Sequence, residues 1–342
     1  MMQDDMPGSW LIRGYGSEVL LKHLKALLGE VEGVRAHEDV EPVHRMRVAC
    51  RRLRSLLPIF GPHLAPKRYK RWRRAFRKLG RALGAARDTD VHIERVKVFL
   101  RGIEGKERLG VARLLLRLRQ QRAALQAEVL TALSAFEQSQ VADEMRALLV
   151  PLALPVRGMT WSLVAEPELY RLAEQTIRER LEAFLAFGEY VDRPECVNEL
   201  HLMRIRAKHL RYTLEAFSPL YGEDLKPYIQ AVRTCQEWLG AVHDLDVWLL
   251  YLPEFTEQEL KRTRDYYGHT RPFARLRPGL EAFQAFCQTE RQETYARFRD
   301  AWQSWMAEGM WQGLVHRLEF ALSPGGARIV HGRQADDTLM ES

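Results

Sequence analysis

Two histidines open matching cationic stripes in this 342-residue sequence. His44 is followed by Arg47, Arg51 and Arg54, and His201 by Arg204, Lys208 and Arg211. Arginine presents a planar fork of donors that grips phosphate oxygens in pairs and never loses its charge, while lysine adds a compact, freely reaching one. A row of such groups suits an anion that repeats along a chain. It does not suit a divalent metal, because three cations on the same arc repel it and no carboxylate or cysteine sits at ligand spacing. A histidine crowded by arginines should hold a proton poorly until an anion arrives. His44 and His201 then serve as neutral donors, as proton-linked contacts, as phosphorylation acceptors, or as hydrogen-bonded structural residues.

Further candidates extend the stripes. Nine of the fifteen residues from Lys67 to Arg81 are basic, and Lys70, Arg73, Arg74, Arg77 and Arg81 fall toward one side of a helix. Tyr212 borders the second stripe and offers a hydroxyl. In the second copy the match thins to Lys226 and Arg233, with Gln230 and Glu237 in place of Arg74 and Arg81, so that half is expected to hold an anion less firmly. Asp88/Asp90 and Asp244/Asp246 form D-x-D pairs that a magnesium ion would accept, but each precedes an apolar helical run and reads better as an N-cap that also steadies nearby arginines. No Walker loop, nucleophile elbow or H-E-x-x-H occurs, and no nucleophile stands beside a base, so no catalytic residue, metal or cofactor is expected, with an enzyme acting on polyphosphate or a triphosphate as an alternative reading.

The elements that position these groups are helices. At 100° per residue each stripe occupies one arc, and Met46, Cys50, Leu53, Leu57 and Phe60 (or Met203, Ala207, Leu210, Leu214 and Phe217) occupy the opposite one. Apolar periodicity places helices over 16–36, 41–61, 66–85, 89–104, 106–137, 167–188, 196–219, 224–242, 244–253 and 273–310. Strand alternation is nearly absent. Residues 44–60 match 201–217 at seven of seventeen positions, and Leu83-Gly84-Ala85-Ala86-Arg87-Asp88-Thr89-Asp90-Val91 matches the stretch from Leu239 to Val247 at almost the same offset. A period near 157 is too long for a solenoid and implies a duplicated helical unit. The boundaries are an N-terminal segment 1–14, a first repeat 15–150, a proline-rich joint 151–166, a second repeat 167–315, and a tail, 323–342, with the composition of disorder.

Charge narrows the partner. The net charge is +7, yet no acidic residue lies between Glu41 and Asp88 while 15 Lys and Arg do, so the remainder of the chain sums to −8. So one-sided a block repels itself and calls for an anion. Four dispersed cysteines read as small apolar residues in a reducing compartment, and neither a secretion signal nor a membrane span is evident, so a cytoplasmic protein with no membrane partner is expected. Trp72 and Trp238 face inward by periodicity, which makes them poor platforms for base stacking and leaves nucleic acid a weaker alternative partner.

At V-H-R-M-R-V-A-C-R-R-L-R (43–54), L-G-A-A-R-D-T-D-V (83–91), L-H-L-M-R-I-R-A-K-H-L-R (200–211) and L-G-A-V-H-D-L-D-V (239–247) the sequence resembles the CHAD family, the conserved histidine α-helical domain. The resemblance spans roughly residues 15–310. It implies an all-α fold of two repeated four-helix bundles related by pseudo-twofold symmetry, packed as one compact domain. It also implies inorganic polyphosphate as ligand, bound in a basic groove without catalysis and with targeting to polyphosphate granules. By position the contacts would be His44, Arg47, Arg51, Arg54, His201, Arg204, Lys208 and Arg211, with the basic side of 66–85. Many relatives also carry a triphosphate-cleaving β-barrel. These 342 residues hold no counterpart, so that activity is not expected to transfer. His243 in place of Arg87 and Glu237 in place of Arg81 depart from a symmetric site.

Overall fold

The computed structural model describes residues 7–164 and 166–322, and among these there is no strand. The chain runs through α1 (Pro7–Leu28), α2 (Val31–Ala36), α3 (Glu41–Leu64), α4 (Tyr69–Arg101), α5 (Arg108–Gln138) and α6 (Val141–Ala153). It continues through α7 (Pro167–Leu185), α8 (Val197–Tyr221), α9 (Lys226–Tyr267), α10 (Arg277–Ala307) and α11 (Met310–Leu322). The tail 323–342 lies outside the described residues.

Packing follows the same order in both halves. Along the first, α1 lies on α3, α3 on α4, α4 on α5 and α6 back on α1; along the second, α7 lies on α8, α8 on α9, α9 on α10 and α11 back on α7. Where the halves meet, α1 touches α7, α3 touches α8 and α5 touches α10. Phe60 and Phe217, the last residues of the matched blocks, pack with ring centroids 5.5 Å apart. Tyr15 joins both rings and donates its hydroxyl to Ala216 O at 2.5 Å. The main core therefore runs unbroken through both halves, and a second core, built on Trp248, Phe255, Phe273 and Phe283, fastens the far ends of α4, α5, α9 and α10.

Glycine permits the closest of these contacts. A Cβ on Gly110 of α5 would stand 2.0 Å from Leu276 O, and one on Gly279 of α10 would stand 1.9 Å from Glu107 O. The two helix starts touch backbone to backbone, which no larger residue allows.

Several expectations about the elements need correction. The aspartates are not caps: α4 and α9 run straight through Asp88/Asp90 and Asp244/Asp246. The reason is tertiary. Asp90 takes the Arg122 Nε at 2.7 Å, and Asp246 takes the Arg291 Nε in the equivalent place, so each side chain is committed to the next long helix instead of its own backbone. Helix α1 begins by Pro7, inside the expected N-terminal segment, and stops at Leu28, where the single span 16–36 splits at Gly29-Glu30. Helix α6 runs to Ala153, inside the expected joint, with Pro151 in its last turn. Helix α9 continues to Tyr267, and α6 and α11 are separate helices that match none of the expected spans.

Candidate functional site

Because α3 and α8 pack together, their cationic stripes face one cleft, a cavity of about 440 Å³. Arg47, Arg51 and Arg54 of α3 and Arg73 of α4 line one side; Arg180 of α7 and Arg204, Arg206 and Lys208 of α8 line the other. His209 completes the second side, and no aspartate or glutamate lines the cavity. At ~30 Å³ per water the space equals roughly fifteen waters, room for several phosphate groups. Larger cavities exist, but their walls are apolar or mix both signs of charge.

Few carboxylates compensate these cations. Of the eight, only Arg47 has a carboxylate within ion-pair distance among the described residues, its Nη2 lying 3.0 Å from Asp88. Elsewhere arginines find partners readily, as Arg113, Arg117 and Arg262 do around the buried Glu259. Proton affinities register the crowding. Burial, reinforced by Arg51, Arg204, Arg47 and Arg54, pushes the Lys208 ammonium down to about 7. Burial also lowers Arg51, Arg54 and Arg180 from the usual guanidinium range, with neighbouring arginines adding to it. His209 falls to about 4, first through burial and then through Arg180, Lys208, Arg206 and Arg73. An anion entering the cleft counters the repulsion among these groups, though not their burial.

His44 and His201 stand beside the cleft. The His201 ring lies 3.9 Å from that of His243 and is held down to about 4 by burial, then by His243, Arg204 and Lys208. His44 is lowered by burial and then by Arg87. The expectation that these histidines resist protonation holds, although desolvation outweighs the arginines. Gly84 and Gly240, matched positions in the second repeated block, bring α4 and α9 against the guanidiniums of Arg47 and Arg204.

Of the other expected residues, Arg77 and Arg81 lie close enough to Arg54 to lower it. Lys70 sits on the solvent face of α4. Arg74 lines a separate groove with Phe136, because the basic arc of α4 is wide enough to wrap past the cleft toward α5. Arg211 and Arg233 converge with Arg52 on Glu215, at 3.4, 3.9 and 2.8 Å, and Lys226 pairs with Glu223. These three are therefore engaged by carboxylates and do not line the cleft. Tyr212 does not border an open arc: it is buried, with the guanidiniums of Arg51, Arg52 and Arg211 5.1–5.5 Å from its ring centroid, and acts as a packing post for them. At the cleft itself each half supplies four cations, so the thinning of the second basic run does not reduce that half's share of the lining. Arg180 and Arg206 bring the second half to four, and His209 adds a neutral ring beside them. No stripe signalled them, since they become neighbours of the cleft only through the packing of α7 and α3 on either side of α8.

Among the described residues no group of three or more His, Cys, Asp or Glu side chains is placed to hold a metal ion, and no helix is long and apolar enough to cross a membrane. All four cysteines are free, and three are buried.

The family model for the CHAD domain matches residues 18–253. Among solved structures, the CHAD domain from the plant Ricinus communis superposes with a TM-score of 0.60 at 24% identity, covering 83% of this chain and 92% of that one. PptA from Streptomyces chartreusis superposes with a TM-score of 0.58 at 19% identity, covering 86% and 99%. At these identities the likeness concerns the fold. No curated protein matches the chain.

Proposed function

The chain belongs to the CHAD family, and from that premise we propose that it binds inorganic polyphosphate, without catalysis, in the cleft between α3 and α8. One observation carries the reading: eight cations from four helices line a cavity that has no carboxylate on its walls, and seven of them lack an ion-pair partner among the described residues. A folded protein tolerates such self-repulsion at a cost that a polyanion offsets. A chain of linked phosphates fits better than isolated anions, because the cations face one another across a continuous cleft and each phosphate carries about one charge. Ser55 and His209 both line the cleft, but among the described residues no hydrogen bond joins them, which favours holding the chain over cutting it. The repeated packing order supports two related helical bundles, each presenting one stripe to a shared site. Recruitment to polyphosphate granules inside the cell is the role that best suits a binding domain of this kind.

The test is direct binding of long polyphosphate and of single-stranded RNA of equal charge to wild type and to Arg51→Ala/Arg204→Ala. Polyphosphate should bind more tightly than RNA, and the double variant should lose most of that preference. Equal affinity for the two polymers, or a double variant that binds like wild type, refutes the assignment. Release of phosphate from polyphosphate with Mg²⁺ refutes the non-catalytic part alone.

A further inference from the structure

The two halves differ at one equivalent place on their outer faces. Buried Leu20, Leu24 and Leu27 of α1 correspond to Ile177, Leu181 and Phe184 of α7, each 157 residues later. Buried Met145 and Leu149 of α6 correspond to Leu314 and Leu318 of α11, each 169 residues later. In the second half an ion pair bridges the two outer helices: Arg178 Nη2 lies 3.0 Å from Glu319, and Arg178 Nε lies 2.6 Å from Glu174. The same registers in the first half carry Leu21 and Val150.

This exchange opens an apolar groove of about 730 Å³ between α1 and α6, floored by Leu21, Leu24, Leu28, Val150 and Leu154. Val150 is left 45% exposed and Leu154 57%, and at the Val150 register the other half carries the charged Glu319. The rim is cationic, with Lys22, Lys25, Arg146 and Arg157. Its one carboxylate, Glu18, is occupied by the Trp161 Nε1 donor at 3.0 Å. Arg146 pairs with Asp143, whereas Lys22, Lys25 and Arg157 have no ion-pair partner among the described residues.

We propose that the α1–α6 groove docks an amphipathic helix of a partner protein whose apolar stripe is flanked by acidic residues. A trough between two helices accepts a cylinder, and an apolar floor between cationic edges complements an apolar stripe between acidic ones. A bilayer surface would instead be met by a projecting apolar face. The α1 side runs from Glu18 to Gly29, about 17 Å at 1.5 Å per residue, which seats roughly three turns of a helix. The proposal is independent of what fills the cationic cleft.

The second half supplies the test variant. Leu21→Arg/Val150→Glu installs the ion pair that Arg178 and Glu319 already form, and so closes the groove with a solution the fold accommodates. The probe is a fluorescein-labelled four-turn peptide with leucines at i, i+3, i+4 and i+7 and glutamates beside them, titrated by anisotropy against the full chain. A lysine-flanked peptide of the same apolar pattern is the control. The acidic peptide should bind saturably, and Leu21→Arg/Val150→Glu and Lys22→Glu/Lys25→Glu should each weaken it at least tenfold without lowering the melting temperature or polyphosphate affinity. Absence of saturable binding, equal binding of the lysine-flanked peptide, or indifference to the double variants overturns the proposal. So does preferential binding to anionic phospholipid vesicles, or a wild-type dimer that Leu21→Arg/Val150→Glu dissociates, since either result gives the groove another occupant.

Discussion

Lys208 makes anion binding depend on pH in a window where little else in the cleft titrates. Its ammonium, buried among Arg51, Arg204, Arg47 and Arg54, loses its proton near pH 7 in the free protein. A phosphate chain in the cleft supplies opposite charge that works against both the burial and the repulsion and raises the group toward the ordinary lysine value of ~10.4. The signs follow from linkage. Above pH 7 the free protein must take up a proton to bind, so affinity falls as pH rises, by about tenfold per unit until the bound-state value is reached. For a free-state value of about 7, the protonated fraction is about 90% at pH 6 and about 3% at pH 8.5, a loss of roughly thirtyfold in affinity. His201 and His209, both near 4, are neutral in the free protein throughout that range, and the arginines remain charged. Folding responds in the opposite sense. The folded-state value lies below the unfolded one, so the unfolded chain binds more protons and stability rises between about pH 7 and pH 10. The assay is titration calorimetry with long polyphosphate at constant ionic strength from pH 6 to 8.5, in buffers of different ionisation enthalpy, on wild type and Lys208→Arg. Wild type should show the thirtyfold loss and an uptake approaching one proton at pH 8.5, and Lys208→Arg should show neither. A flat wild-type profile, or a Lys208→Arg protein that keeps the slope, refutes the reasoning.

Other consequences follow from the same geometry. Seven unpaired cations, at ~0.7 counterions released per phosphate neutralised, give a slope of log affinity against log salt near −5, or about a thousandfold loss from 50 to 200 mM. Arg51→Ala/Arg204→Ala should reduce that slope by about 1.4, measured by anisotropy across a salt series, and an unchanged slope would place the contacts elsewhere. Gly110→Ala should destabilise the fold by about 1–3 kcal/mol, because its Cβ would stand 2.0 Å from Leu276 O; denaturant unfolding checks this, and a neutral effect would mean the helices part freely. Asp90→Ala strands the buried Arg122 guanidinium and should cost about 3–5 kcal/mol, while Asp90→Leu/Arg122→Met should recover most of the loss in the same assay.

How much of this was legible beforehand depended on whether the deciding contact was local. The helical stripes of α3 and α8 could be read because a 100° step sorts Arg47 and Arg51 from Met46 and Leu53 within a single helix. The repeated blocks announced that the stripes come in pairs, and Phe60 against Phe217 is where the paired blocks meet. What could not be read was set by partners distant in sequence. Asp90 and Asp246 carry the local signature of caps, and only Arg122 and Arg291 on later helices turn them into mid-helix ion-pair partners. Arg211 and Arg233 share the charge of the cleft residues but meet Glu215, a residue that the spacing of basic groups does not reveal. Arg180 belongs to no basic run, and it reaches the cleft because α7 packs on α8. The carboxylates therefore did as much as the arginines to define the site, by removing some cations from it and leaving others bare.

The most direct test of the central claim is a crystal structure of the chain with a long polyphosphate bound. The account predicts a continuous run of phosphates within the α3–α8 cleft, contacted by Arg51, Arg54, Arg204 and Lys208, with Arg211 and Arg233 still on Glu215. Phosphates ordered along the exposed arginines of α4 with the cleft empty of them would contradict it.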